Sequence, residues 1–170
     1  YAVELYDSTK GRRITIANLG VPGCSVDNWT NGSGTGIFGY DMINALHPDC
    51  AFLNFGGNES TAGRDAATYL GQLQALITAL TNAQSIALVP TTPRSTDAAK
   101  ALVDQYIAGH SSLVPPSGVP LTDLKQLWYA PTGWRDKAIP FVSVAPYAPH
   151  LPAASYKAIG EMLGAAILNY

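Results

Sequence analysis

Between residues 50 and 108 the chain alternates short, unbroken apolar runs with longer amphipathic stripes, and that order restricts its fold more than any other feature. Residues 50–55 (CAFLNF) are almost wholly apolar and stop at Gly56-Gly57. Residues 62–80 then repeat Leu70, Leu73, Ile77 and Leu80 at the spacing of one helical face. A second apolar run, residues 85–89 (SIALV), stops at Pro90, and residues 96–108 read as a second helix with Thr96 at the N-cap position ahead of Asp97. Runs of this length without polar alternation suit strands buried on both faces, and strands that alternate with helices suit a parallel sheet.

The flanking segments extend the pattern. Residues 13–19 (RITIANL) alternate Ile14 and Ile16 as a strand does and end in the breaker Gly20-Val21-Pro22-Gly23. Residues 1–6 place Ala2, Val3, Leu5 and Tyr6 at helix-like spacing, which predicts the tail of a helix. Residues 31–36 (NGSGTG) read as a flexible loop, 37–46 as a helix, 111–134 as irregular, 139–144 as the last strand and 152–168 as a C-terminal helix. The expected fold class is α/β, with a parallel sheet, helices on both faces and right-handed crossovers. In such folds function gathers in loops at the carboxyl ends of strands, here residues 20–30, 56–61, 90–96 and 145–150.

A chain of 170 residues fits one domain and buries roughly 70% of its unfolded surface without a disulfide framework or a structural metal. Hydrophobic residues are 47% and charged ones only 13%, about half the usual charged share. With 10 Lys and Arg against 12 Asp and Glu, no basic surface for nucleic acid is expected. No apolar run reaches the roughly 20 residues of a membrane span. Low charge with abundant Gly, Pro and Ala is the composition of secreted or virion-surface proteins. The chain opens at Tyr1 with no basic-then-apolar leader, and is read as part of a longer polypeptide.

Three loops carry chemistry-bearing residues. One runs Asn18-Leu19-Gly20-Val21-Pro22-Gly23-Cys24-Ser25; a second, Asn54-Phe55-Gly56-Gly57-Asn58-Glu59-Ser60; the third, Tyr147-Ala148-Pro149-His150-Leu151-Pro152, precedes the last helix. Gly23 and Asn58 also suit plain turns, and His150 also suits a helix entry. In order and spacing the set resembles the SGNH (GDSL-type) hydrolases, esterases and lipases on a three-layer α/β/α flavodoxin-like fold. The resemblance spans nearly the whole chain. It implies that Gly23 and Asn58 are oxyanion-hole donors and that His150 is the base of a Ser–His acyl transfer needing no cofactor or metal. The substrate expected is a small-molecule or polysaccharide ester, such as a carbohydrate O-acetyl or another short acyl group.

Such a site has a clear physical logic. Ester cleavage passes through a tetrahedral oxyanion, and pre-placed N–H donors stabilise it. A glycine N–H has no side chain beside it, an Asn amide donates without adding charge, and an imidazole shuttles the proton.

Two departures from the family pattern stand out. The Gly-Asp-Ser block that carries the nucleophile has no counterpart between Tyr1 and Tyr170, so the domain is read as lacking its N-terminal strand and nucleophile segment. The family acid, three residues before the His, is Tyr147 here; Glu59 and Asp136 are the carboxylates that could replace it, and a Ser–His dyad would need neither. Ser25 lacks the Gly-x-Ser-x-Gly elbow. These departures keep a second reading open, a non-catalytic carbohydrate- or receptor-binding domain of a phage tail fibre or secreted adhesin, oligomeric if it belongs to a fibre.

Other motifs are weaker. Gly34-Thr35-Gly36-Ile37-Phe38-Gly39 matches a dinucleotide fingerprint but does not follow a strand. Cys24 and Cys50 are expected at opposite ends of strands, too far apart for a disulfide. His47 and His110 read as helix-end residues. Asn28, Asn31 and Asn58 head glycosylation sequons. Trp29, Trp128, Tyr129 and Trp134 fall in expected loops, where they could stack on sugar rings or cap the core; Trp29, Glu59 and Tyr147 are the expected substrate-binding residues.

Overall fold

The computed structural model describes residues 2–7, 9, 12–20, 23–30, 40–91, 96–129, 135, 157 and 161. The chain is mixed α/β, with a three-stranded parallel sheet at its core. Strands β3 (Ala51–Leu53), β4 (Ile86–Leu88) and β5 (Leu121–Asp123) lie in that order, in a register that aligns Leu53 with Leu88 and Leu88 with Asp123.

The central strand β4 is buried at all three positions, as its uniform apolarity leads one to expect. On β3 the middle residue, Phe52, is 46% exposed while Ala51 and Leu53 are buried. Strand β5 lies within the stretch expected to be irregular. Its Leu-Thr-Asp sequence has no strand signature of its own; the open edge of β4 recruits it, with Ile86 N–H donating to Pro120 C=O and Leu124 N–H to Leu88 C=O.

The N-terminal segment corrects the sequence expectation. Residues 1–6 were read as a helix tail, but Ala2–Asp7 is a strand, β1, paired antiparallel with β2 (Arg12–Ala17). The register sets Val3 opposite Ile16 and Leu5 opposite Ile14. A partner strand only four residues away pairs with the backbone of the whole segment, and so short a segment would be marginal as an isolated helix. The 13–19 segment is therefore a strand, yet it belongs to a two-stranded ribbon and not to the parallel sheet.

The helices around the sheet follow local signals. Helix α4 (Ala66–Ala79) starts where the Asp65 carboxylate accepts Thr68 N–H at 2.9 Å, so the stretch expected as one helix from residue 62 begins four residues later. A separate turn, α3 (Gly57–Thr61), precedes it and ends near Gly63, whose φ is +71°. Tyr69, Leu73, Leu76, Ile77 and Leu80 form the buried stripe; Leu70, expected within it, lies half-buried on the flank.

Helix α5 (Asp97–Gly109) buries Ala99, Val103, Tyr106 and Ile107. The Thr96 hydroxyl accepts Ala99 N–H at 3.2 Å, so the expected cap is present. Thr96→Ala should lower stability by about 0.5–2 kcal/mol, read as a shift in the urea midpoint with an unchanged slope.

The short helix α2 (Tyr40–Leu46) is tied to the end of α4 through Asn44, whose Nδ2 donates to Ala79 C=O at 2.6 Å and whose Oδ1 accepts Asn82 N–H at 3.2 Å. His47 follows α2 with φ +45°, a helix-end residue as expected. Two further elements fall in the stretch read as irregular or at its edge: a 3-10 turn, His110–Ser112, and α6 (Gln126–Tyr129). The strand expected over 139–144 lies outside the described residues, as does most of the expected C-terminal helix, of which helical Lys157 and Glu161 form an i,i+4 pair at 3.7 Å. Among the described residues no helix is long and apolar enough to cross a membrane.

Candidate functional site

The site is built where the segment after β2 meets the turn after β3. Residues 23–29 are anchored by Val26, which is fully buried, and by Trp29, which is 5% exposed; both belong to the main apolar cluster. Ahead of these anchors Cys24 and Ser25 are half-buried. Asn28 Oδ1 accepts Ser25 N–H at 2.7 Å and starts the single helical turn α1 (Asp27–Thr30).

The second segment is set by Gly56. Its φ of +100° lies in the left-handed region, and a Cβ there would meet the Tyr106 ring at 3.3 Å, so backbone and space both require glycine. Gly56 turns the chain from β3 into α3. On the far side of that turn, Asn54 Nδ2 donates to Pro90 C=O at 2.7 Å and fixes the end of β3 to the segment leaving β4.

Three tethers join the two segments in sequence order. Asn58 Nδ2 donates to Cys24 C=O at 2.7 Å. Glu59 Oε1 accepts Val26 N–H at 2.7 Å, while its Oε2 accepts Gly56 N–H at 2.9 Å. Arg64 Nη1 donates to Asp27 Oδ1 at 3.0 Å and to Gln72 Oε1 at 2.6 Å.

Asn58 and Gly23 are both exposed. Gly23 has φ +78°, and a Cβ there would meet nothing within 4 Å; its backbone conformation, more than any crowding, is what calls for glycine. One N–H of the Asn58 amide goes to Cys24 C=O, so the second remains for an external acceptor. Of the two residues expected from sequence as oxyanion donors, Asn58 is thus tied to the residue that follows Gly23 in the chain.

Below them, Tyr69 and Tyr106 stack with ring centroids 4.1 Å apart, and Tyr106 O–H donates to Arg64 C=O. Burial pushes the Tyr69 phenol far up, and the charges of Glu59 and Asp123 add to that. Burial, with Glu59 again contributing, pushes Tyr106 up to about 12. Both phenols are neutral at physiological pH.

Other expectations need correction. Glu59 is 1% exposed with both oxygens on backbone N–H groups, so it is committed to the fold and free neither to touch substrate nor to orient an imidazole. Trp29 and Trp128 are buried core residues, not loop aromatics; short helical turns swing both indoles inward. Tyr129 alone of the described aromatics in this group is exposed, and its O–H donates to Asp104 C=O at 3.3 Å. His150, Tyr147, Trp134, Asp136, Asn31 and the glycine-rich residues 34–39 lie outside the described residues. Cys24 and Cys50 are free thiols, one in the segment that follows β2 and the other just before the start of β3.

One feature escaped the sequence reading. His110 caps α5 as a helix-end residue, yet it is only 6% exposed, with Nδ1 3.2 Å from Asp123 Oδ1 and Nε2 buried without a partner. Its partner sits on β5, the strand that had no signature, so nothing local announced the pair.

The Asp27–Arg64 tether has a pH consequence. The Arg64 hydrogen bond holds the Asp27 carboxyl below its ordinary 3.8. A carboxyl depressed in the folded state adds stability above the unfolded value and loses it as pH falls through the folded one. Urea titrations of wild type and Asp27→Asn should therefore differ at pH 6 by less than about 1 kcal/mol, since both side chains are partly exposed, and converge below about pH 4.

Among the described residues, no group of three or more His, Cys, Asp or Glu side chains could hold a metal ion. Comparison with known proteins yields no matching family model, no similar curated protein and no similar solved structure.

Proposed function

We propose that this chain is a flavodoxin-like α/β/α domain of the SGNH type and forms the oxyanion side of an ester hydrolase acting on carbohydrate O-acetyl or other short acyl esters. The observation that carries this reading is the bond from Asn58 Nδ2 to Cys24 C=O, which ties an exposed amide to the residue that follows Gly23. A carbonyl oxygen placed between them gains negative charge as it becomes tetrahedral, and fixed donors favour that state over the planar ester.

In this reading the nucleophilic Ser comes from residues outside these 170. Its hydroxyl proton passes to His150 as Ser Oγ attacks the carbonyl carbon. Collapse of the tetrahedral species expels the alcohol, which takes that proton, and water then releases the acid by the same route in reverse. No metal or redox group takes part in these steps. Glu59 is occupied elsewhere and Tyr147 is no carboxylate, which leaves Asp136 as the acid or a Ser–His dyad without one.

The test is hydrolysis of p-nitrophenyl acetate and of an acetylated oligosaccharide by the polypeptide that includes the residues encoded before Tyr1. Turnover should be abolished by a serine-directed phosphonate and by His150→Ala. Absence of turnover, with acetylated glycan still bound, would replace this reading by that of a non-catalytic carbohydrate-binding domain. The burial of Trp29 and Trp128 weighs against that alternative, because it removes two of the indoles on which sugar rings would stack.

A further inference from the structure

Among the described residues, Glu59 is the one buried carboxylate that touches both segments of the site. It is 1% exposed, and its oxygens face two backbone donors that are 30 residues apart in sequence, Val26 N–H at 2.7 Å and Gly56 N–H at 2.9 Å. No Lys or Arg donates to it among the described hydrogen bonds; Arg64, the nearest cation on its own loop, is taken up by Asp27 and Gln72. The bond to Gly56 closes the N-terminus of α3 in the manner of the Glu half of a capping box. That role needs one oxygen only. The second oxygen is spent on a distant segment.

We infer that Glu59 is the positioning residue of this site: one carboxylate oxygen holds the segment that carries Gly23 and Cys24, the other holds the turn that carries Asn58, and together they space the two donors for a single oxyanion before substrate arrives. The inference rests on the esterase reading for its purpose and on the two hydrogen bonds for its mechanism. Its electrostatics make it testable by sign. A carboxylate near an oxyanion hole opposes the charge that forms there, so if charge dominated, neutralising Glu59 would improve the binding of an anion. If position dominates, the same change weakens binding: Gln offers one acceptor and one N–H donor where two acceptors are needed, and sets N–H against N–H at Val26 or Gly56.

Acetate, the acid product of acetyl ester cleavage, is a suitable probe because its carboxylate oxygen occupies the place of the oxyanion and its binding needs no nucleophile. The experiment titrates the ¹⁵N-labelled 170-residue chain with sodium acetate in wild type, Glu59→Gln and Glu59→Asp. It follows the Gly23 amide and the Asn58 side-chain NH₂, with hydrogen exchange at Val26 and Gly56 measured in parallel.

Wild type should show acetate shifts at Gly23 and Asn58 and slow exchange at Val26 and Gly56. In Glu59→Gln the acetate Kd should rise about tenfold or more and exchange at both amides should accelerate, while Leu73 and Leu76 stay protected. Unchanged or tighter acetate binding in Glu59→Gln overturns the proposal. If Glu59→Gln loses protection at Leu76 as well, Glu59→Asp decides, since the shorter carboxylate should keep one of the two amides protected and release the other; protection retained at both overturns the proposal. If acetate leaves wild-type Gly23 and Asn58 unmoved, the esterase reading fails by itself, and the exchange comparison still judges the clamp.

Discussion

Trp128→Ala is expected to destabilise the fold by about 3–5 kcal/mol, measured by urea unfolding monitored in the far-UV. The indole is 1% exposed and belongs to the main apolar cluster, so its removal leaves a cavity the size of a bicyclic ring. It also donates from Nε1 to Asp104 Oδ1 at 2.8 Å, where Arg135 Nε donates to the same oxygen at 2.8 Å. Burial pushes the Asp104 carboxyl up, but the bonds from Arg135 and Trp128 outweigh it and leave the group below its ordinary value. Trp128→Phe separates the two contributions: it retains most of the packing and loses the N–H, and should cost about 1–3 kcal/mol. Equal losses in the two variants would mean that the hydrogen bond, and not the packing, anchors α6 to α5.

Asn58→Ala is expected to lower kcat on an acetyl ester by about 10²–10³-fold with a much smaller change in KM, assayed in the polypeptide that carries the nucleophile. Because Asn58 is exposed and Cys24 C=O can turn to water, stability should fall by no more than about 1 kcal/mol. Asn58→Asp is the sharper variant. It keeps the shape, removes the donors and adds a negative charge where one must develop, so it should be at least as inactive as the alanine variant. A loss of stability in place of a loss of kcat would reduce Asn58 to a tether between two loops.

The legible parts of this chain were those in which a residue's role depends on its immediate neighbours. Residues 86–89 are apolar without exception, and the strand Ile86–Leu88 is buried at every position. Thr96 stands ahead of an acidic first turn and does cap α5. Gly56-Gly57 after an apolar run marked a turn, and Gly56 occupies a left-handed conformation. Asn58 after that turn is exposed, and its amide donates to the Cys24 carbonyl.

The failures share one cause. Val3 and Leu5 fit a helix as well as a strand until β2 arrives to pair with them. Residues 121–123 have no preference that a strand would need, and the edge of β4 supplies it. Glu59 looked like a free carboxylate in a polar loop, but two backbone amides claim it, one of them from a segment 33 residues away. Trp29 and Trp128 looked like surface aromatics because the turns that bury them are too short to show a helical period.

Local order, helix caps and the glycines demanded by left-handed turns were thus settled by the chain itself, since each follows from steric and hydrogen-bonding limits within a few residues. Which way an indole faces, which strand an indifferent segment joins and what a carboxylate binds were decided only by folding. Each of those depends on the free energy of burying or pairing a group against atoms distant in sequence, and no local pattern encodes where those atoms will be.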